Sequence, residues 1–387
     1  MKKIPTIIAV IISILLLLIP VFCLWILAAF SDLESSFLVP IVGVLLVVLI
    51  GLVTFSISNK MWLKKSIILL SVIILSLFGA MEGENLYKHK YIPSISVSNN
   101  IGWYGKYMPF TNSKELSHLD KESSLHFSKD DKLPVVDGAT ALLPIYCSFV
   151  EAVYPSDCEI KSFVKYNTTI GAYENLIEGK TDIIFVAQPS EEQIESAKKA
   201  GIEFNMYPIG YEAFVFLVNK NNSVDGLTLQ QVKDIYTGKI PNWKYIGGKN
   251  RLIRPFQRDS NSGSQTAFLA VMGKEIDLLP PETHKVSGMD GLIDVVSDYQ
   301  NHDNAIGYSF RYYVEKMKNN KNIKMLKLNG IAPTLENIRN KTYPITDNFY
   351  AITIKGRESE ETKKFINWIL SEQGQELIEK VGYVALD

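Results

Sequence analysis

Cysteine and histidine are scarce in this chain, with three and five among 387 residues. No Cys-x-x-Cys pair, His-Glu-x-x-His stretch or Cys/His cluster occurs, so a structural or catalytic metal site lacks its ligands. An excess of one charge is missing too. Lys and Arg number 40 against 41 Asp and Glu, a formal net charge of −1. The basic residues are scattered, which excludes the electrostatic footprint of a nucleic-acid binder. Ser262 sits in Asn-Ser-Gly-Ser rather than in a Gly-x-Ser-x-Gly elbow. An enzyme built on it would need the fold to bring up His284 or His302 as base. The reading is of a protein that is not an enzyme and carries no cofactor or metal.

What the sequence has in quantity is apolar residues near its start. Three runs, Ile4–Phe30, Phe37–Ser58 and about Leu63–Met81, fill the first 81 positions. The first two are long enough for a hydrocarbon core that takes about 20 helical residues. The third begins at Lys64 and Lys65, whose stems can snorkel to the headgroups. Lys2 and Lys3 precede the first run, Asp32 and Glu34 follow it, and Lys60, Lys64 and Lys65 follow the second. Positive flanks stay cytoplasmic. The expectation is a three-helix membrane anchor over 1–81 with the N-terminus inside and the rest extracellular. A cleaved signal peptide fits less well, because the first run is long and no small-x-small site follows. Lipidation at Cys23 lacks the small residues expected before such a cysteine.

Residues 82–132 are rich in Ser, Asn, Lys and Tyr without a sustained period, and read as a stalk with a packed patch at Trp103–Phe110. From Leu133 short apolar runs alternate with amphipathic stretches. Leu133–Val136, Asp182–Ala187, Phe214–Asn219 and Ile253–Gln257 read as strands. Helices are expected over Ala141–Tyr154, Thr169–Gly179, Glu191–Ala200 and about Thr266–Met272. The alternation predicts an α/β fold with βα units on a mainly parallel sheet. A length near 300 residues outside the anchor suggests two lobes.

In such sheets ligands sit where strand ends turn into helix starts. Three turns qualify: Asp137-Gly-Ala-Thr-Ala, Asn167-Thr-Thr-Ile-Gly-Ala and Arg258-Asp-Ser-Asn-Ser-Gly-Ser-Gln-Thr266. Each offers hydroxyls and small residues beside the unpaired N–H groups of a helix start, and these donors can replace the water of an anion. Arg258 adds a planar fork that matches two oxygens of a tetrahedral oxyanion. Singly, each turn also reads as an ordinary N-cap, and Asp137 as the cap of the helix that follows it.

Those residues resemble a known family. From Leu133 to Asp387 the chain resembles the phosphate-binding proteins of ATP-driven phosphate uptake, in the periplasmic-binding-protein-like superfamily of the second type. The resemblance lies in Asp137-Gly-Ala-Thr-Ala-Leu, Val232–Trp243 with Gly247-Gly, Arg258–Thr266, Ala305-Ile-Gly-Tyr308, Tyr343-Pro-Ile-Thr346 and Lys364–Val384. It implies a two-lobed α/β solute-binding domain over 133–387. Lobe one would be about 133–212 plus 345–387, lobe two about 213–344, and the hinge strands about Tyr211–Asn219 and Thr342–Ile354. Carried over residue by residue, it points to Ala139 and Thr140 in the first turn and to Arg258, Ser262, Gly263 and Ser264 in the third. Thr169 and Gly171 match in the second turn. It further implies an oxyanion ligand, with phosphate favoured, and the permease subunits of an ABC importer as partners.

Three departures stand out. The arginine turn has Asn261-Ser-Gly-Ser264 where the family commonly has Gly-Ser-Gly-Thr, which keeps the hydroxyl. Many members carry an aspartate just before the proline of Asp182–Ser190, accepting the proton of phosphate; here Ala187 and Gln188 stand there. A carbonyl of Gln188 can still accept. The triple-span anchor is the third departure. A sensor that reports ligand to a membrane partner would use the same binding residues as a transport receptor. Cys147 and Cys158 either pair or remain free thiols, which spacing leaves open. Glu212 and Asp347 read as hinge hydrogen-bonding groups or surface charges, and Trp243 and Tyr308 as core.

Overall fold

The computed structural model describes residues 105–111, 113–273, 277–279 and 304–386, all within one compact unit that runs from Ser94 to Asp387. The three apolar runs lie outside the described residues. Among the described residues no helix is long and apolar enough to cross a membrane.

The first strand, β1 (Val136–Gly138), is buried throughout. A single 3-10 turn, Thr140–Leu142, leads into α1 (Leu143–Val153). Pro144 sits in its first turn, where a missing N–H costs nothing. Next come α2 (Thr168–Ile177) and β2 (Ile183–Val186). β2 is apolar at every position because both its faces are covered: Ile183 and Phe185 join the main core, Ile184 and Val186 a second cluster with Tyr173 and Leu176 of α2. The helix α3 (Glu191–Lys199) opens with a capping box between Ser190 and Gln193. Glu191 and Glu192 in its first turn and Lys198 and Lys199 in its last complement the helix dipole.

β3 (Phe204–Asn219) is 16 residues long. Beyond it lie α4 (Leu229–Tyr236), the two-residue β4 (Arg254–Pro255), α5 (Gly263–Met272), β5 (Ala305–Phe310) and β6 (Ile323–Met325). β7 (Thr346–Ile354), α6 (Glu360–Ile369) and α7 (Glu372–Val381) complete the chain. The strand order is β1-β2-β7-β3-β5-β4, with β6 also on β3.

The sheet is mixed, which corrects the mainly parallel expectation. Only β1 with β2 and β4 with β5 run parallel; β7 is antiparallel to β2 and β3, and β3 to β5 and β6. The cause is the length of β3. From Phe204 to Ala213 it pairs with β7, and from Phe214 to Asn219 with β5 and β6. One strand thus serves two sheets, changing partners at Ala213/Phe214, so β3 and β7 together link the two lobes. Glu212 lies at this change-over, opposite Asp347.

The stretch read as a stalk is packed where it is described. Tyr107, Leu116 and Phe127 are buried in the main core. The Phe127 ring stands edge-on to Tyr154 and Phe365 at 5.7 and 6.3 Å. Ser124 N–H donates to Gln373 Oε1 at 2.8 Å and Asp120 N–H to Glu376 at 3.0 Å. Lys380 Nζ donates to His118 O at 3.0 Å. Residues 113–127 therefore form a strap on α6 and α7. Its backbone is irregular, so its buried residues have no period for a sequence reading to detect.

Candidate functional site

The first turn is built around a buried charge. The Asp137 carboxylate accepts from Gly138 N and Asn167 N, each at 2.8 Å, from Asn167 Nδ2 at 2.8 Å and from Asn175 Nδ2 at 2.9 Å. It therefore ties the turn after β1 to the start of α2. It does not cap the following helix, whose N-cap position is Ala139 without a side-chain bond. Ala139 N–H donates to Phe185 O at 2.8 Å, and Thr140 opens the 3-10 turn. Gly138 is needed for this approach. A Cβ there would lie 2.6 Å from Phe185 O and 2.9 Å from Tyr146 Cε1.

In the second turn Thr168 adopts the left-handed region at φ 63°, a costly conformation for a β-branched residue. It sends Thr169, which is buried, into the first turn of α2. Gly171 lies a turn later, packed under the Asn167 side chain, where a Cβ would come within 2.8 Å of Asn167 Cβ.

The third turn follows β4. Arg258 is only 8% exposed, and its backbone N–H donates to Gln265 Oε1 and to the Tyr308 hydroxyl, both at 3.0 Å. The Tyr308 hydroxyl itself donates to Gln265 Oε1. Burial pushes the Tyr308 hydroxyl pKa up, opposed by the Arg258 N–H and charge. Ser262 is the N-cap of α5: Oγ accepts from Gln265 N at 3.3 Å and donates to Asp259 O at 2.9 Å. The helix therefore begins at Gly263, three residues before the expected start, and Gly263 and Ser264 are its first residues. Ser264 is buried.

The lobes meet at Gly263. A Cβ on it would lie 3.0 Å from Thr169 Oγ1 and 3.8 Å from Ala187 Cβ. The starts of α2 and α5 thus face each other across the cleft, with the first turn fastened to the second through Asp137. Two positive helix ends and their N–H groups in one place favour a negative charge. Gln188, beside Ala187, donates through Nε2 to Asp347 Oδ2 at 2.9 Å. Burial raises the Asp347 pKa, while the Asn348 N–H and Gln188 pull it down.

Glu212 belongs to the hinge. It is buried and accepts from Ala213 N at 2.8 Å and Tyr312 N at 3.1 Å, with Arg311 Nε at 3.4 Å. Burial pushes its pKa up against the pull of Arg311 and those two N–H groups. Trp243 and Tyr308 pack in the core, and Trp243 Nε1 donates to Asn304 O at 2.9 Å. Cys147 and Cys158 are free thiols, the first buried. His284 and His302 lie outside the described residues. Among the described residues no group of three or more His, Cys, Asp or Glu could hold a metal ion.

Sequence reasoning missed Gln265 as the brace of the arginine turn, and it took Tyr308 for packing alone. The position of Gln265 three residues after an N-cap serine was the available signal.

Residues 131–373 match the family model of the PBP superfamily domain. The chain belongs to this superfamily. It is 26% identical over 204 residues to the phosphate-binding protein PstS of Borreliella burgdorferi, spanning 51% of this chain and 69% of that one. To PstS of Staphylococcus saprophyticus it is 24% identical over 259 residues, 65% and 79% of the two chains. Among solved structures, it resembles a phosphate ABC transporter substrate-binding protein from Clostridium perfringens with bound phosphate. That match has 29% identity and a TM-score of 0.53, covering 66% of this chain and 99% of the other. The two-lobed α/β fold of the superfamily's second type is the fold seen here, and members of the superfamily bind solutes rather than transform them.

Proposed function

We propose that this protein captures inorganic phosphate between its lobes and delivers it to the permease of an ABC-type importer. The observation that carries the reading is the meeting of Thr169, at the start of α2, with Gly263, at the start of α5. Ala139 and Thr140 contribute the third helix start, Ser262 and Ser264 hydroxyls, and Arg258 a fixed positive fork. The similarity to the phosphate-bound Clostridium perfringens protein supports phosphate over other oxyanions. Gln188 donates an amide N–H to Asp347, and its carbonyl oxygen is the acceptor we assign to the proton of monohydrogen phosphate in place of the missing aspartate. Residues 1–81 are read as a three-helix anchor that holds the binding domain on the extracellular side of the cell membrane.

Thermal unfolding of the full-length chain with phosphate, arsenate, sulfate or buffer tests this. Phosphate at 100 times its dissociation constant should stabilise the protein by about 2.7 kcal/mol, and sulfate should not. A protein that melts identically in all four would refute the phosphate reading.

A further inference from the structure

The arginine turn reaches lobe one at a second place, apart from the anion site. Asn261 sits at its apex with φ 63°, a conformation that glycine and asparagine tolerate best. Its amide is polarised across the cleft: Oδ1 accepts from Ser190 Oγ at 2.9 Å, and Nδ2 donates to the Glu192 carboxylate. Its backbone carbonyl accepts from Gln193 Nε2 at 3.2 Å. All three partners belong to the capping box and first turn of α3. The same Gln193 side chain that completes the capping box through Ser190 N, at 2.8 Å, also reaches the opposite lobe.

We propose that Asn261 is a latch: a positioning residue that holds the arginine turn against α3 and so sets how long the lobes stay closed. None of its partners is among the residues assigned to the anion. The latch contributes to the closed state whatever the ligand, so it rests on the two-lobed fold and not on phosphate as the solute. Its bonds can form only once the lobes have approached. They therefore slow release rather than speed capture. The polarity of the amide also matters, because oxygen faces a hydroxyl and nitrogen faces a carboxylate.

The test uses the full-length chain and radiolabelled phosphate. Asn261→Gly keeps the backbone conformation and removes both side-chain bonds. Release should become about ten times faster with capture little changed, since each lost hydrogen bond is worth a few-fold. Asn261→Asp sets a second carboxylate against Glu192 and should release faster still. Adding Glu192→Gln to Asn261→Asp restores a donor–acceptor pair with reversed polarity, and should recover most of the loss. A general weakening of the fold would not be rescued in this way. Release at the wild-type rate from Asn261→Gly, or no recovery in the double variant, overturns the latch. If the wild-type chain does not bind phosphate, the proposed function fails. The latch is then read by amide hydrogen exchange in ligand-free protein, where Asn261→Gly should speed exchange at 188–196 and 258–264. Unchanged exchange there overturns it too.

Discussion

In lobe one the turn that enters the site is fastened by a buried carboxylate, with Asp137 taking four N–H bonds from Gly138, Asn167 and Asn175. In lobe two the corresponding turn is fastened by neutral groups, Gln265 and the Tyr308 hydroxyl, which hold the Arg258 backbone. An anion site can bury a negative charge beside itself only if that charge is consumed by donors of its own, as the two asparagines and two backbone amides do here. The Arg258 backbone N–H is held by an amide oxygen and a hydroxyl. The contrast teaches that the turn of lobe one is fastened through a charge and the turn of lobe two through neutral groups.

That contrast can be broken by substitution. Asp137→Ala should have the largest effect, because it removes a buried carboxylate on which four N–H donors converge. A loss of about 4 kcal/mol in unfolding free energy is expected by denaturant titration. If Asp137→Ala kept wild-type stability and lost only binding, its carboxylate would belong to the ligand and the comparison would fail. Arg258→Ala should do the reverse, weakening phosphate binding roughly 100-fold in calorimetry while its melting temperature stays near that of the parent. A folded Arg258→Ala protein with unchanged affinity would remove that residue from the site. Tyr308→Phe is the mildest: it keeps the ring stacked on Phe268 at 4.4 Å and deletes one hydroxyl. A loss of about 1 kcal/mol in stability is expected. Equal stability and a large affinity loss would place the hydroxyl on the ligand instead.

Much of this arrangement was legible in the residues. The helix starts after Asp137, Asn167 and Arg258 could be found because cap residues and glycines announce them. The strand Ile183–Val186 was legible because four apolar residues in a row need cover on both faces. The mixed sheet was not. Phe204–Tyr211, the first half of β3, contains Pro208 and Gly210 and has no clean alternation, so nothing marked it as continuous with the apolar second half. The start of α5 was placed three residues late because Gly263 and Ser264 have turn chemistry. Only the Ser262 cap shows that they are already helical. The bonds between lobes, from Asn261 to Ser190 and Glu192, join positions about 70 residues apart in sequence. No local pattern encodes such a pairing.

The strap over residues 113–127 ties the beginning of the described domain to its last two helices. Gln373, Glu376, Lys380 and Phe365 hold it on the helices of lobe one. Lobe two meets lobe one not only at the hinge but also through Arg311 on Gly382 and Arg339 on Glu379. A closure of the kind proposed would be read against α7, which carries bonds to the strap and to lobe two alike.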